Sequence, residues 1–534
     1  NYVGLFIWLF VMKSNVSKWE IHLSNANWFR TKNVSVCGYI FTQENELLTG
    51  IDMCRYFDVS VPQQFIDRLK SANGLYSVVC HSERLQMAAV DPSRIYPLYY
   101  RKGENGVSIA DNPYLLLQKG DNLDVNSLAE YHVAGYPLGD KTLVRDIYHV
   151  PPGGVLSADG NTKKYYSYLA FSSELQSPNY DRTERMLYHV FSRMLQSLEG
   201  QQVVVPLSGG NDSRLILCML RRLHYENVVC YTVGRPENVE ELIATKVARE
   251  LGYPLYIIDT TKEELTEFVC LDDKEFQRYY HFIGGLSNFM WLFEYVAIKW
   301  LKSQGILSNG AVFIPGHSAD FNAGSHLVKA CVGSNNRANY IANAIMIDNF
   351  EYGVDRQVWK KLYQYSAESK INKEIVSWSV YQSFVFQNRL PYNINNSARV
   401  YQFFGYDVRL PYWDKEFLEL FRVMPYECLN GCSFYENFVR ERIFKPMNVD
   451  YSRKHPSFYY FIRMKLLKRL KWLMPIFIRN RINKIDLLGE LLLSKHMQQE
   501  LILHKQYSER DKCSANQFMK DWYLLKVEEK LSQL

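Results

Sequence analysis

The stretch from Val203 to Ser213 (VVVPLSGGNDS) decides the fold of this 534-residue chain. It opens with a run of β-branched residues, which is typical of a strand buried on both faces, and an apolar helix is predicted from Leu215 onward. The same pattern recurs downstream, with predicted strands at residues 228–233 and 255–259 and a predicted helix at 240–251 between them. This alternation of strands and helices predicts parallel βαβ units and therefore an α/β fold.

The turn between the first of these strands and its helix has the composition of an anion-binding loop. Its residues are Ser208, Gly209, Gly210, Asn211, Asp212 and Ser213. The two glycines let the backbone approach a phosphate closely, and the following helix directs its positive end at the same place. The serines can add hydroxyl donors and Asp212 can hold Mg²⁺. The loop lacks the GK[ST] ending of a Walker A motif, so we predict a pyrophosphate site of a different type.

Residues 208–213 resemble the pyrophosphate loop of the ATP pyrophosphatases, which cleave ATP between the α and β phosphates. Other segments are similar to the asparagine synthetase-like family of PP-loop amide ligases, which includes asparagine, β-lactam and carbapenam synthetases and lasso-peptide cyclases. These segments are 231–252 (a strand and helix containing Val233), 404–414 (FGYDVRLPYWD), Arg453-Lys454 with Phe458, and residues 91–100 and 135–153 of the N-terminal half. Together the resemblance covers roughly residues 30–460.

The resemblance implies two domains and a C-terminal extension. An N-terminal glutaminase-like (Ntn-type) αββα sandwich is expected at residues 1–172, and a Rossmann-like adenine-nucleotide (PP-loop) synthetase domain with many helices at 182–460. A basic helical extension is expected at 461–534, with a closing helix at 514–528. The polar, proline-containing segment 172–181 (SSELQSPNYD) is the predicted linker.

The resemblance also implies the cofactors and the site residues. ATP and Mg²⁺ are the expected cofactors, with Asp212 and Asp320 as metal ligands. Lys454 matches the family lysine that stabilises charge on an acyl-adenylate, although it also lies in a basic run. The residues expected to contact ATP are Ser208, Gly209, Gly210, Asp212, Ser213, Val233 and Gly316.

The segment 315–320 (PGHSAD) departs from the family, which has SGEGSDE at this position. His317 replaces a glutamate that helps to deprotonate the attacking amine. A histidine can serve as a general base, and nearby phosphates would raise its pKa. A role in binding phosphate or backbone groups is the alternative for His317, whereas a structural role is expected for His326.

A second departure concerns the nucleophile of the glutaminase. Glutamine-hydrolysing members need a cysteine at the mature N-terminus, but this sequence begins Asn-Tyr-Val and its CGYIF segment starts internally at Cys37. We interpret Cys37 as a strand residue and expect that glutaminase activity is lost. The ten cysteines include no CxxC pair and no zinc-type spacing, which favours buried reduced thiols.

The net charge of +6 is concentrated in residues 453–484, which carry ten basic and no acidic side chains and leave the other residues at −4. This distribution disfavours a nucleic acid partner, which needs a broad basic surface. If residues 458–474 are helical, the helix is amphipathic. Residues 458–484 could then contact an anionic membrane, or the helix could pack on the synthetase domain with a solvated basic face. The apolar residues 3–12 are too few for a span and predict a strand. A cytoplasmic protein, with possible membrane association, is expected.

The expected reaction is an ATP-dependent, AMP- and pyrophosphate-forming amide ligation of a small-molecule, peptide or saccharide carboxylate with ammonia or an amine. An asparagine synthetase-type amidation is the first interpretation, with glutaminase lost. An intramolecular, peptide or surface-polysaccharide amide ligase of the β-lactam synthetase or lasso-cyclase type is the second. A non-catalytic nucleotide-binding scaffold stays open, as does a thiolating ATP pyrophosphatase that would use Cys428 and Cys432.

Overall fold

The computed structural model describes residues 19–451, Leu503 and 515–534, except residues 26, 105, 235, 261, 271–272 and 328–337. The predicted strand at 3–12, Lys454 and the basic segment 458–484 lie outside the described residues. The strands are β1 Glu20–His22, β2 Phe29–Arg30, β3 Val34–Phe41, β4 Leu47–Thr49, β5 Asn73–His81, β6 Gln86–Val90, β7 Tyr99–Gly103, β8 Gly106–Ala110, β9 Ile147–His149, β10 Gly154–Ser157, β11 Thr162–Lys164, β12 Val203–Pro206, β13 Val228–Gly234, β14 Leu255–Asp259, β15 Val312–Phe313 and β16 Asp407–Val408.

Helices dominate the second half of the described chain, as the sequence predicts. The α-helices are α1 Gly50–Phe57, α2 Pro62–Ser71, α3 Val125–Ala134, α4 Tyr180–Gln196, α5 Asn211–Arg222, α6 Val239–Leu251, α7 Lys274–Gly284, α8 Leu292–Ser303, α9 Ala319–Asn322, α10 Ala338–Asn349, α11 Arg356–Ser369, α12 Ser377–Gln387, α13 Asn395–Ser397, α14 Arg399–Phe403, α15 Lys415–Arg422, α16 Tyr426–Leu429, α17 Ser433–Val439 and α18 Ala515–Ser532. None of the helices in the described residues is long and apolar enough to cross a membrane.

The N-terminal half contains two sheets. The larger sheet has the order β11-β10-β6-β5-β3-β2 with β4 paired to β3, and the smaller has the order β1-β8-β7-β9. Alternation along β3 sorts its side chains: Val34, Val36 and Ile40 pack with α1 and α2, whereas Cys37 and Tyr39 face the main core. The predicted strand position of Cys37 is confirmed by β3, whereas the assignment of this half to the Ntn type stays a prediction.

The third sheet is wholly parallel and has the order β14-β13-β12-β15-β16. The sequence predicts strands in this part at residues 203–207, 228–233, 255–259 and 312–315, and all four are confirmed, as is the α/β class of this part. The fifth strand, β16, was not predicted, because two residues carry too little pattern to be recognised. The chain runs outward from β12 in one direction and later continues on its other side. Such a switch in strand order leaves a crevice at the carboxyl ends of the strands, where α/β proteins bind ligands.

The two halves share one continuous core and a polar seam. Arg193 of α4 forms two parallel hydrogen bonds to the carboxylate of Asp414, from Nε at 3.1 Å and from Nη2 at 2.9 Å, and Asn73 of β5 donates to the same carboxylate. The guanidinium of Arg409 lies 4.5 Å from the ring centroid of Tyr39 in β3. The segment 404–414 therefore joins the parallel sheet to the larger N-terminal sheet.

The predicted linker is fixed at its start to the helical half, since Phe171 forms a β-bridge with Ile375. The closing helix predicted at 514–528 is confirmed as α18, which packs between the halves. Its Tyr523 hydroxyl shares a 2.9 Å hydrogen bond with Tyr114 and accepts from the backbone N–H of Leu286 at 3.0 Å. The domain boundaries stay a prediction. The contacts of Phe171 and Tyr523 join residues that lie on different sides of the predicted boundaries.

Candidate active site

A cleft of about 870 Å³ opens beyond the carboxyl end of β12. Most residues predicted for the site line it. These are Ser208, Gly209, Gly210, Asp212, Ser213, Gly316, His317 and Asp320. Val233 lies at the end of the neighbouring strand β13 and is not among the lining residues, and Lys454 lies outside the described residues. The structure thus brings together two segments about a hundred residues apart in sequence.

The glycines of the loop are required by close packing and by the start of α5. A β-carbon on Gly209 would lie 3.0 Å from the Cα of Glu240, in the first turn of α6. Gly210 precedes α5 with no side-chain cap, so the first-turn N–H groups face the cleft without a capping acceptor. The N-terminus of α5 can therefore donate to an anionic ligand.

The two serines of the loop hold its shape. The backbone N–H of Ser208 donates to Oγ of Ser213 at 3.1 Å, and the N–H of Gly210 donates to Oγ of Ser208 at 3.2 Å. Ser213 is buried. The hydroxyls predicted as phosphate donors therefore act first as acceptors that close the turn.

Gly316 lies directly against this turn. A β-carbon at Gly316 would be 2.8 Å from the backbone nitrogen of Ser213 and 3.2 Å from the carbonyl carbon of Asp212. Both neighbours are backbone atoms, which cannot rotate away as a flexible side chain could. Any larger residue would displace the loop, so the segment 315–320 fixes the loop sterically.

Asp212 and Asp320 face each other across the two segments. The N–H of Asp320 donates to Oδ2 of Asp212 at 3.1 Å, and Oδ1 of Asp212 accepts from the Tyr435 hydroxyl at 3.0 Å. Burial, together with the negative charge of Asp320, raises the pKa of Asp212 well above its ordinary range. Burial also raises the pKa of Asp320, which the more distant charge of Arg389 opposes. These two neighbouring carboxyls form an electronegative pair.

This pair fits Mg²⁺ bound together with phosphate. Mg²⁺ prefers oxygen ligands and commonly takes one or two carboxylates, with the remaining positions filled by water and substrate phosphates. Within the described residues there is no group of three or more His, Cys, Asp or Glu side chains arranged to hold a metal. The pair therefore suits a metal that arrives with a nucleotide better than a permanently bound ion.

Two tyrosines that sequence reasoning missed hold Asp212. The hydroxyl of Tyr412 donates to its backbone carbonyl at 2.6 Å, while Tyr435 binds its carboxylate. Next to Tyr412, the indole N–H of Trp413 donates to Oγ of Ser318 at 3.1 Å, and Ser318 adopts a left-handed φ of 81°. Tyr412 and Trp413 belong to the segment 404–414, which offered a signal, whereas nothing in the sequence marked Tyr435.

His317 lines the cleft, and its Nδ1 atom has no hydrogen-bond partner within the part of the chain that the structure describes. Burial lowers the pKa of His317 to about 4, so the imidazole is neutral near pH 7. A neutral imidazole keeps one nitrogen as an acceptor, as a base or a phosphate-orienting group requires. His326 is also buried and stacks on Tyr381, with ring centroids 5.3 Å apart, as expected for a structural residue.

The cysteines in the described part of the chain show no sign of activation. Among the described cysteines none forms a disulfide, and Cys37 is a buried residue in the middle of β3, as predicted. Cys432 lines the cleft, but burial raises the pKa of its thiol, and burial raises the pKa of Cys428 as well. Because the thiolate is the reactive form, these environments disfavour the thiolating alternative.

Two comparisons with known proteins agree with this site. Residues 190–430 match the model of the asparagine synthase family. The tRNA(Ile)-lysidine synthase of Porphyromonas gingivalis (strain ATCC BAA-308 / W83) is 27% identical over 158 residues, which are 28% of this chain and 31% of that protein. The chain therefore spans about a third of the length of this curated relative.

Proposed function

Because residues 190–430 form a domain of the asparagine synthase family, we propose that the protein is an AMP- and pyrophosphate-forming amide ligase. It would adenylate a carboxylate and transfer nitrogen to it from ammonia or an amine. The family match supports the coarser statement of an ATP-dependent ligase. The proposal of adenylation followed by nitrogen transfer rests on the residues of the cleft.

The observation that carries the proposal is the pairing of the glycine loop with two half-buried carboxyls. The loop offers backbone N–H donors at the start of α5, and Asp320 is hydrogen-bonded to Asp212 within the same cleft. Donors alone would suit any anion. Donors beside an acidic pair suit an anion that brings its own divalent cation, which describes Mg·ATP and the pyrophosphate released from it.

In the first step the substrate carboxylate oxygen attacks the α-phosphorus of ATP. The bond from this phosphorus to the bridging oxygen breaks, and pyrophosphate leaves with the electron pair. The residues 208–213 would hold the leaving pyrophosphate, since their N–H groups and the helix end are already oriented before charge develops. Asp212 and Asp320 would hold Mg²⁺, which screens the phosphate charges when bound.

In the second step the nitrogen lone pair attacks the acyl carbon, the bond from that carbon to the phosphate oxygen breaks, and AMP leaves. The nitrogen then loses a proton. His317, neutral near pH 7 in this structure, is the candidate acceptor in the cleft. Lys454 is proposed to stabilise negative charge at the acyl-adenylate.

The mid-strand position of Cys37 supports the proposal that glutamine is not a direct donor. The acidic pair suits Mg·ATP in a ligase and in a nucleotide-binding scaffold alike, so turnover in the assay below distinguishes the two. The intramolecular and peptide- or saccharide-directed ligations remain alternatives for the identity of the acid and the amine. A cytoplasmic location and peripheral membrane contact through 458–484 are proposals of the same kind.

A pyrophosphate-release assay tests the proposal. The full chain is given Mg·ATP and a panel of carboxylic acids, with ammonium, glutamine or a primary amine supplied separately. We expect acid-dependent release of AMP and pyrophosphate in equal amounts. Release of ADP, or nucleotide binding without turnover across the whole panel, would contradict the ligase. Equal rates with glutamine and ammonium would contradict the loss of glutaminase.

A further inference from the structure

Glu294 is one of the acidic side chains in the cleft that none of the steps above uses. Glu294 lies in the first turn of α8 and lines the same cleft as the loop and His317. Its Oε2 atom is shielded from solvent and has no hydrogen-bond partner among the described residues. A buried carboxylate oxygen with no donor is rare, because its desolvation is not offset by any contact of the fold.

The neighbouring tyrosines do not compensate this charge. Tyr231 and Tyr401 share a hydrogen bond of 3.3 Å with each other, and the hydroxyl of Tyr279 donates to the carbonyl of Trp291 at 2.6 Å. Burial first, and then the negative charge of Glu294, raises the pKa of Tyr279. These groups are therefore neutral hydroxyls whose interactions are directed elsewhere.

The arginines that line the cleft are also engaged elsewhere. Arg214 donates to two backbone carbonyls within residues 449–451, at 3.0 and 2.9 Å, and Arg440 pairs with Asp450 at 2.9 Å. No ion pair joins Glu294 to a cation within the residues that the structure describes. Burial raises the pKa of the Glu294 carboxyl, and a hydrogen bond from its own backbone N–H opposes that rise. An unpaired buried carboxylate is stabilised most by a ligand that carries a positive charge.

We propose that Glu294 binds the nitrogen substrate in its cationic form, as ammonium or a primary alkylammonium. Because this cation has no lone pair, it first gives one proton to the Glu294 carboxylate, and the neutral amine then attacks the acyl carbon. This inference rests on the proposed function, because it assigns the second substrate of that reaction a binding residue and a charge. It goes further in predicting that neutral analogues of the amine are bound poorly. Glu294 is thereby separated from Asp212 and Asp320, which serve the nucleotide.

A ligand-observed NMR titration of the full chain tests the proposal. The protein is saturated with Mg²⁺ and α,β-methylene-ATP, and n-butylammonium is compared with n-butanol at constant ionic strength. We expect n-butylammonium to bind at least about tenfold more tightly than n-butanol. Glu294→Gln should abolish this preference. Glu275→Gln is the matched control, since Glu275 pairs with Lys299 of α8 at 3.2 Å but does not line the cleft, and this variant should keep the preference.

The two cations and the two proposals can be told apart. If ¹⁵N-labelled ammonium at equal concentration displaces n-butylammonium, ammonium is the preferred ion. If n-butylammonium stays bound, an alkylammonium is preferred. Nucleotide binding without any preference for the cation, or a preference that survives in Glu294→Gln, would overturn this inference alone. Failure of the nucleotide to bind would overturn the proposed function. Glu294→Met, of similar size, replaces Glu294→Gln if that variant does not fold.

Discussion

Two half-buried carboxylates of the described residues, Asp414 in the seam between the halves and Asp212 in the cleft, have different surroundings. In the seam between the halves, Asp414 is held by the bidentate Arg193 and by Asn73. In the cleft, Asp212 accepts from a backbone N–H and a tyrosine hydroxyl, and the charge that acts on it most is that of Asp320. Both sites are desolvated, but among the described residues only the seam carboxylate forms an ion pair with a cation.

The difference indicates that Asp414 stabilises the fold, whereas Asp212 is available to a ligand. Burial raises the pKa of Asp414, and the charge of Arg193 opposes that rise. At Asp212 burial and the charge of Asp320 act in the same direction. A charge balanced inside the protein holds two elements together, whereas an unbalanced one lowers stability until a cation arrives. The cleft therefore favours the binding of a cation, whereas the carboxylate in the seam is already paired with a cation of the protein.

Among these variants, we expect the largest effect on activity for Asp212→Asn. We expect acid-dependent pyrophosphate release to fall by at least about a hundredfold, because the variant loses a charge that holds the metal in the transition state. The midpoint of thermal unfolding should be no lower than in the wild type, since the change removes a poorly compensated charge. Wild-type turnover by this variant would mean that the pair does not hold the metal.

Arg193→Ala removes the cation from the seam and, in contrast to Asp212→Asn, should lower the stability of the protein. Asp414 would be left buried without its cation, which we expect to lower the free energy of unfolding by about 3–5 kcal/mol. Urea denaturation measures this loss. The double variant Arg193→Met with Asp414→Leu should lose less, because it leaves no unpaired charge. Equal losses in the single and double variants would show that packing, and not charge, dominates the seam.

Gly316→Ala should displace the loop 208–213 without changing any charge in the cleft. The added methyl group would approach the backbone of Ser213, so we expect a cost of about 1–3 kcal/mol in unfolding free energy and about a tenfold lower rate of pyrophosphate release. Gly103→Ala is the control, because a β-carbon there meets its nearest atom at 3.6 Å. An unchanged rate in Gly316→Ala would show that the loop tolerates displacement.

His317→Gln tests whether a neutral histidine fills the cleft. The pKa of His317 is about 4 in the folded protein and near its ordinary 6.5 in the unfolded chain. As the pH falls from 6.5 toward 4, the unfolded chain therefore takes up a proton that the folded protein does not, and stability is lost. We expect the wild type to lose about 1–3 kcal/mol more than the variant between pH 7 and 4. Denaturation at both pH values measures it, and parallel losses would contradict a neutral His317.

Much of the synthetase domain could be predicted from the sequence. The β-branched run before Ser208 and the apolar periodicity after it predicted the order of β12, α5, β13, α6 and β14, because local periodicity reports burial directly. The resemblance to the asparagine synthetase-like family is confirmed over residues 190–430. The two-residue strand β16 escaped prediction, because its existence depends on pairing with a distant partner.

The loop composition, the position of Cys37 within a strand and the candidate roles of Asp212 and Asp320 were determined by the sequence itself. Only the tertiary structure decided that the N–H of Asp320 donates to Asp212 and that the hydroxyl of Tyr435 binds the Asp212 carboxylate. It also decided that Oε2 of Glu294, a residue that lines the cleft, has no hydrogen-bond partner among the described residues. The physical reason is that local residue patterns specify backbone conformation and burial. Charge balance depends instead on which groups the fold brings within a few ångströms of each other.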